Sequence, residues 1–224
     1  MNYYRYTNLD WLNRCLLALL VIPALLTIIG ISHGLYAMYR LRNLPDMQML
    51  VQLPLDLRQL IHVDDMIRFS QISLTLLMLT FFFVGWLYYA RRNLVALFEQ
   101  VEHCLKNSLR QFAQLIIGIF FALRMMMQVW RNSTPDSHAH QAERWLVPLW
   151  WLFLIVANIC KIIGVVHLHG VTQVGEWLYG YQWMMAAYVF YFVLYILTWR
   201  LVKQLSHFQH IQWQQRRVLL QSGI

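Results

Sequence analysis

The stretch from Phe69 to Asn93, FSQISLTLLMLTFFFVGWLYYARRN, contains no charged residue before Arg91. An uncharged helix of this length reaches about 30 Å, which is the thickness of the hydrocarbon core of a bilayer. Because two arginines end the run, a helix crossing the membrane here would stop with its cations at the headgroups. The stretch therefore predicts a membrane span, and three other apolar runs resemble it.

Composition supports the same class of protein. The 224-residue chain is 59% hydrophobic and 12% charged, against about 45–50% and about 25% in soluble domains. The three cysteines lie in or beside apolar segments without paired spacing, so we expect inert thiols rather than disulfides or a zinc ribbon. The sequence predicts an all-α integral membrane protein.

The predicted architecture is a polytopic transmembrane helical bundle with four spans. Pro23 can kink the first span without excluding it, and this run is too long for a signal peptide. The spans leave an external loop at 40–66 and a cytoplasmic tail at 203–224. The four spans are placed at about 12–36, 68–90, 145–168 and 178–201.

A fifth apolar stretch is too short to span without including Arg124. Polar residues recur along it at helical offsets, which predicts an interfacial or re-entrant amphipathic helix at about 108–131. The alternative is a fifth span with Arg124 buried against the bundle. The polar stripe consists of Arg110, Gln114, Arg124, Gln128 and Arg131.

The basic residues predict the orientation. With both the N- and C-termini cytoplasmic, most of the 18 Lys and Arg lie inside, as the positive-inside rule requires. The loop between the third and fourth predicted spans has no Lys or Arg. A fifth span would carry a basic block across the membrane, so the charges favour four spans.

Three blocks of sequence resemble the motifs of a known family. WLYYARRNLVAL (Trp86–Leu97) is similar to the signature WLYRAxRNLRAL, VWRNSTP (Val129–Pro135) to IWRAS-D-P, and LVPLWWLFLIVANI (Leu146–Ile159) to WWxLWLxSNI. The family is the bacterial multi-pass membrane family numbered 4328 among domains of unknown function, and the resemblance covers roughly residues 70–200. It implies a compact helical domain in the bacterial inner membrane and implies no activity.

The chain departs from that family between the first two blocks. The family usually has a GWWFIPIxNLxRPYQ run where this chain has IGIFFALRMM (Ile117–Met126). Two cations suffice to stop a helix, so topology leaves Asn93 unexplained; our hypothesis is that it caps or hydrogen-bonds the interfacial segment. The family-motif and interface residues are Trp86, Arg91, Arg92, Asn93, Trp130, Arg131, Trp150 and Trp151.

Lys161 is the ionisable residue inside the predicted third span. A charge there costs at least about 2.5–3.5 kcal/mol on insertion scales and usually faces the bundle interior. Asn158 lies three residues earlier on the same helical face. Two interpretations are open: the pair lines a polar path, or Lys161 snorkels to the interface while Asn158 makes an interhelical hydrogen bond.

Signals for catalysis and metal binding are weak. The chain has no Gly-rich phosphate loop, G-x-S-x-G elbow, H-E-x-x-H helix or Cys-x-x-Cys pair. His33, His62, His167 and His169 map to the predicted external side, but the last two point about 200° apart on a helix. We predict no enzyme activity, no metal site and no cofactor.

The expected partners follow from the basic and aromatic residues between Arg91 and Arg131, which fit anionic lipid headgroups on the cytoplasmic side better than nucleic acid. The other expected partners are the lipid bilayer, a second copy of the chain or another membrane protein. The predicted function is a non-catalytic assembly or accessory component of a membrane complex. The alternative is a small oligomeric transporter or channel with a polar path near Lys161 and Asn158.

Overall fold

The computed structural model describes residues 9–98, 118–135 and 145–221. These ranges contain six α-helices, a short 3₁₀ turn and no β-strand, which confirms the all-α prediction. A bridge between Met49 and Gln173 is the strand-like pairing found there. The helices are α1 (Asp10–Leu41), α2 (Leu55–Thr80), α3 (Leu87–Phe98), α4 (Gly118–Ser133), α5 (Leu146–Leu168) and α6 (Val174–Gln221).

Three of the described helices, α1, α5 and α6, are long and apolar enough to cross a membrane. They cover, to within a residue, three of the predicted spans. Many apolar side chains on these helices are exposed, because no other part of the protein covers them. Examples are Leu25 and Ile28 on α1 and Ile155 and Ile159 on α5. Lipid is the solvent in which such faces are stable, so these helices fit a membrane protein.

The predicted second span, at 68–90, is helical throughout but is not one of those three helices. Its apolar run is divided, because α2 and α3 are separated by a π-helical turn at Phe81–Trp86. In that turn the Leu87 N–H donates to the Phe82 carbonyl, one residue farther back than in an α-helix. Several charged residues also occupy the first half of α2. The four-span bundle is therefore not confirmed.

Helix α4 lies in the segment predicted as an interfacial helix at 108–131. Residues 108–117 are outside the described ranges. Within α4, Arg124 and Arg131 are exposed and Met126 is buried. Whether this helix lies at the interface or spans the membrane stays a prediction.

Part of the predicted external loop at 40–66 is helical, because α2 begins at Leu55. The Pro54 carbonyl accepts hydrogen bonds from the amides of Leu57 and Arg58, which closes the first turn. A proline at this position has its φ angle already set for a helix start. The run of charged and apolar residues after Pro54 therefore forms helix instead of loop.

The predicted tail at 203–224 is helical as far as Gln221, because α6 continues through it. No glycine or proline follows Gly180 before the helix ends, so nothing in the sequence interrupts the hydrogen-bond ladder. At 1.5 Å per residue the 48-residue helix is about 72 Å long.

The chain divides into two compact units. The seam unit consists of Ala18–Met78 and Leu152–Ile196, and the motif unit consists of Met1–Leu17, Leu79–Trp151 and Leu197–Ile224. Helices α1, α2, α5 and α6 each contribute a part to both. The motif unit holds the first two family-like blocks and the start of the third.

In the seam unit, residues of α1, α2 and α6 form one hydrophobic core. Two glycines of α1 make room for tyrosine rings of α6. A Cβ atom at Gly34 would lie 2.5 Å from the Tyr181 hydroxyl, and one at Gly30 would lie 3.1 Å from the Tyr188 ring. Small residues four apart are common where membrane helices approach closely.

We expect Gly34→Ala to lower the free energy of unfolding by about 1–3 kcal/mol, because the added methyl group would overlap the buried Tyr181 side chain. Gly85→Ala is the matched control, since its Cβ would meet nothing closer than 3.9 Å. Thermal unfolding in detergent measures both variants. Equal unfolding temperatures would contradict this close packing of α1 on α6.

Candidate functional site

The first family-like block begins at Trp86, which is fully buried in the motif unit. Its indole N–H donates to the side-chain oxygen of Asn13 at 2.7 Å, and the Ser206 hydroxyl donates to the same oxygen at 3.1 Å. Asn13 lies on α1 and Ser206 on α6. Leaving a buried donor unpaired costs about 1–3 kcal/mol, so these bonds tie the block to two helices that are distant in sequence.

Gln209 of α6 is the centre of a second buried network in the motif unit. It is fully buried, and its amide nitrogen donates to the Ala90 carbonyl at 2.8 Å and to the Ser133 hydroxyl at 3.0 Å. Its amide oxygen accepts from the Asn93 side chain at 3.5 Å. Asn93 is also fully buried. Asn93 therefore bonds to α6, and the hypothesis that it caps or hydrogen-bonds the interfacial segment stays a prediction.

The third block joins the same unit through Trp150. Its indole N–H donates to the Thr198 hydroxyl of α6 at 2.7 Å. The Phe82 ring lies 5.3 Å from the Trp86 ring and 5.5 Å from the Trp150 ring, centroid to centroid. Aromatic pairs at such separations add stabilisation beyond their buried area. The first and third blocks therefore share one aromatic cluster.

The remaining tryptophans of the family-like blocks are also internal. Trp151 is buried and meets Trp150 edge to face. Trp130 is buried, and its ring centroid lies 6.1 Å from that of Phe208 on α6. Each tryptophan of the three blocks thus packs inside the motif unit and not at its surface.

The arginines of the blocks have three different environments. Arg91 is buried, Arg92 is half-buried and Arg131 is exposed. Consecutive helical residues point about 100° apart, so the Arg91-Arg92 pair cannot face one surface. The predicted headgroup surface therefore loses Arg91, and its described exposed cations include Arg124 and Arg131.

The sequence reasoning missed a buried carboxylate in the seam unit, Asp64, because it placed this residue in a loop. Asp64 is 0% exposed. The Tyr181 hydroxyl donates to its Oδ1 atom, and His33 Nδ1 lies 3.5 Å from that atom. Burial raises the pKa of Asp64 from 3.8 to about 6, while the Tyr181 hydrogen bond and the positive charges of His33 and Arg68 act in the opposite direction.

Asp64 and Tyr181 begin a row of buried polar side chains between α2 and α6, which we call the polar seam. Tyr195 is buried and exchanges a hydrogen bond with the Thr75 hydroxyl at 2.6 Å, and the Gln71 amide donates to it at 3.1 Å. The signal that would have found the seam is a seven-residue recurrence of polar side chains on two apolar helices. It appears as Asp64 and Gln71 on α2 and as Tyr181, Tyr188 and Tyr195 on α6.

Lys161 and Asn158 also lie in the seam unit. The Asn158 amide donates to the Leu154 carbonyl at 2.7 Å and accepts from the Tyr191 hydroxyl at 3.0 Å. The Lys161 ammonium lies 5.7 Å from the centre of the Tyr191 ring, within cation–π range. The Asn158–Tyr191 hydrogen bond joins α5 to α6, while a polar path here and the snorkelling of Lys161 to the interface both stay predictions.

The described residues contain no group of three His, Cys, Asp or Glu side chains able to hold a metal ion. The histidines considered in the sequence have other surroundings. His167 and His169 line an open cavity of about 770 Å³, together with Asp46 and Glu176. The His167 ring meets the Tyr179 ring edge to face at 4.9 Å.

We expect Gln209→Ala to lower the free energy of unfolding by about 2–4 kcal/mol, because it removes the hydrogen bonds to Ser133, Asn93 and the Ala90 carbonyl and creates a cavity. Asn93→Ala should cost less, because its hydrogen bond to Gln209 is long, at 3.5 Å. Gln214→Ala is the control on the same helix, since its side chain is exposed and bonds to the neighbouring His210. Chemical unfolding in detergent would contradict this network if Gln209→Ala were as stable as Gln214→Ala.

A family model described as "Domain of unknown function (DUF4328)" matches residues 65–207. No curated protein and no solved structure matches the chain. The matched region contains Trp86, Asn93, Ser133 and Trp150, so it includes the blocks whose side chains meet in the motif unit. It covers well over half of the chain, and on this basis the protein belongs to the DUF4328 family.

Proposed function

We propose that this protein is a non-catalytic integral membrane protein that serves as an assembly or accessory component of a membrane complex. One observation carries the proposal: polar side chains of the family-like blocks are buried and bonded to other side chains of the motif unit. In a catalytic motif, polar side chains would instead point into a pocket where a substrate could bind. Here the blocks hold helices together.

The network supports this role in physical terms. Trp86, Gln209 and Trp150 each pair with a residue from a different part of the chain, so the bonds fix the packing of α1, α3, α4, α5 and α6 within the motif unit. Buried polar networks that are satisfied make a packing arrangement specific. A rigid helical framework of this kind suits a protein that presents surfaces to partners.

The proposed location is the bacterial inner membrane, with four spans and both termini cytoplasmic. The support is the positive-inside distribution of Lys and Arg along the sequence. In the motif unit Arg131 and Lys203 are exposed, and so are Trp145 and Trp199. Exposed tryptophans beside cations suit the headgroup region of an anionic membrane surface.

Labelling of single cysteines in a variant lacking the native thiols tests this topology. A cysteine at the exposed position Thr172 should react with an impermeant reagent from outside the cell, and cysteines at His103, Asp136 and Ser222 should react only after permeabilisation. The control is each variant's labelling in detergent, where all should react. Labelling of His103 and Asp136 from opposite sides would contradict four spans and favour five.

The surfaces proposed for assembly are the apolar faces of α1 and α5. A photo-crosslinking amino acid at Leu25 or Ile159, both more than half exposed, should yield a protein adduct in cells from at least one position, with this chain or with another membrane protein. The buried position Leu194 serves as the control and should give none. A monomer in mild detergent without adducts at either face would contradict the assembly role.

A further inference from the structure

The seam unit buries a carboxylate for which the assembly role has no use. Asp64 is fully buried, whereas the next residue, Asp65, is half-exposed and pairs with Arg68 at 2.5 Å. Acidic side chains are almost never fully buried unless they are paired. Asp64 therefore needs partners inside the protein or a proton of its own.

Three helices present groups to this carboxylate. From α6 the Tyr181 hydroxyl donates to Oδ1, and from α1 the His33 Nδ1 lies 3.5 Å from the same atom. The Tyr188 hydroxyl is within electrostatic range. The titratable and charged groups around Asp64 are His33 of α1, Asp65 and Arg68 of α2, and Tyr181 and Tyr188 of α6.

These contacts leave the second carboxylate oxygen unpaired. Asp64 Oδ2 is buried without a hydrogen-bond partner, and so are the Tyr188 hydroxyl and His33 Nδ1, which lies near Oδ1 without bonding to it. An ionised carboxylate with an unpaired oxygen is costly in an apolar interior. A carboxylic acid has a proton to donate, and a tyrosine hydroxyl nearby is an acceptor of the right type. The surroundings thus favour the protonated acid.

We propose that Asp64 is a reversible proton-binding site that is loaded from the protein surface through His33. The His33 side chain is 18% exposed and that of Asp64 is 1% exposed, so the imidazole reaches the protein surface and the carboxylate does not. A proton from water binds His33 Nε2, and the proton on Nδ1 passes to the carboxylate. This leaves a neutral imidazole and a neutral acid. The site does not depend on the assembly role or on a partner.

A metal cation fits this place less well than a proton does. Hard cations such as Ca²⁺ and Mg²⁺ take about six oxygen ligands, and the unpaired oxygens at Asp64 are its own Oδ2 and the Tyr188 hydroxyl. Across the described parts of the chain, no three His, Cys, Asp or Glu side chains are grouped for a metal. A proton needs a single carboxylate oxygen.

The pH range of the site follows from burial, which raises the pKa of Asp64 from 3.8 to about 6. Because the folded pKa lies above the unfolded one, the folded protein holds the proton more tightly between these values. This contribution to stability is complete below about pH 4 and is lost as the pH rises through about 6. Release of the proton turns the Tyr181 contact into a charge-assisted hydrogen bond.

Infrared titration of the full-length protein in lipid nanodiscs tests the proposal. Wild type should show the C=O band of a protonated carboxylic acid, and this band should disappear with a midpoint near pH 6. Asp64→Asn should lack the titrating band. Asp56→Asn, which removes an exposed carboxylate from the same helix, should keep it. A band that survives in Asp64→Asn would overturn the proposal.

The wild-type titration tests the proposal even if Asp64→Asn does not fold. If all carboxylic acid bands of the wild type disappeared below pH 5, the proposed proton-binding site would be overturned. The route through His33 has its own test. His33→Gln should slow hydrogen–deuterium exchange of the Asp64 acid band several-fold, whereas His62→Gln, at an exposed histidine of α2, should not. An unchanged exchange rate in His33→Gln would overturn the route.

Discussion

A polar group buried among apolar side chains costs free energy unless another side chain or the backbone forms a hydrogen bond with it, and the packing of this protein depends on such bonds. Neither lipid nor a close-packed interior supplies water, and an unpaired donor or acceptor costs about 1–3 kcal/mol. The motif unit meets the requirement with pairs from distant segments, such as Trp86 with Asn13 and Trp150 with Thr198. Each pair fixes how two helices are rotated against each other, which apolar contacts alone leave less specific.

The two units meet this requirement differently. In the motif unit Gln209 bonds to three groups and completes a network among the family-like blocks. In the seam unit the Asp64 carboxylate has one oxygen bonded by Tyr181 and one without a partner. A completed network is typical of a structural role, and an incomplete one around an acid leaves room for a proton.

Periodicity and composition predicted some of the helices correctly and missed other features of the fold. The uncharged runs predicted α1, α5 and α6, because a long apolar helix is recognisable without its neighbours. Helix α2 begins inside the predicted loop, at Leu55, and its charged Asp64 faces the interior of the seam unit, which the spacing of apolar runs did not reveal. The 68–90 run was predicted as one span, and its π turn was missed since no simple sequence pattern marks one.

By itself, the sequence determined the all-α class, three apolar helices and membership of the DUF4328 family, since these depend on residue type and order along the chain. The tertiary structure alone decided that Arg91 is buried, that Gln209 accepts a hydrogen bond from Asn93, and that Asp64 lies between His33 and Tyr181. Those facts depend on which helix faces meet. Helix rotation is set by close packing at residues such as Gly34 and by buried hydrogen bonds between segments far apart in the chain.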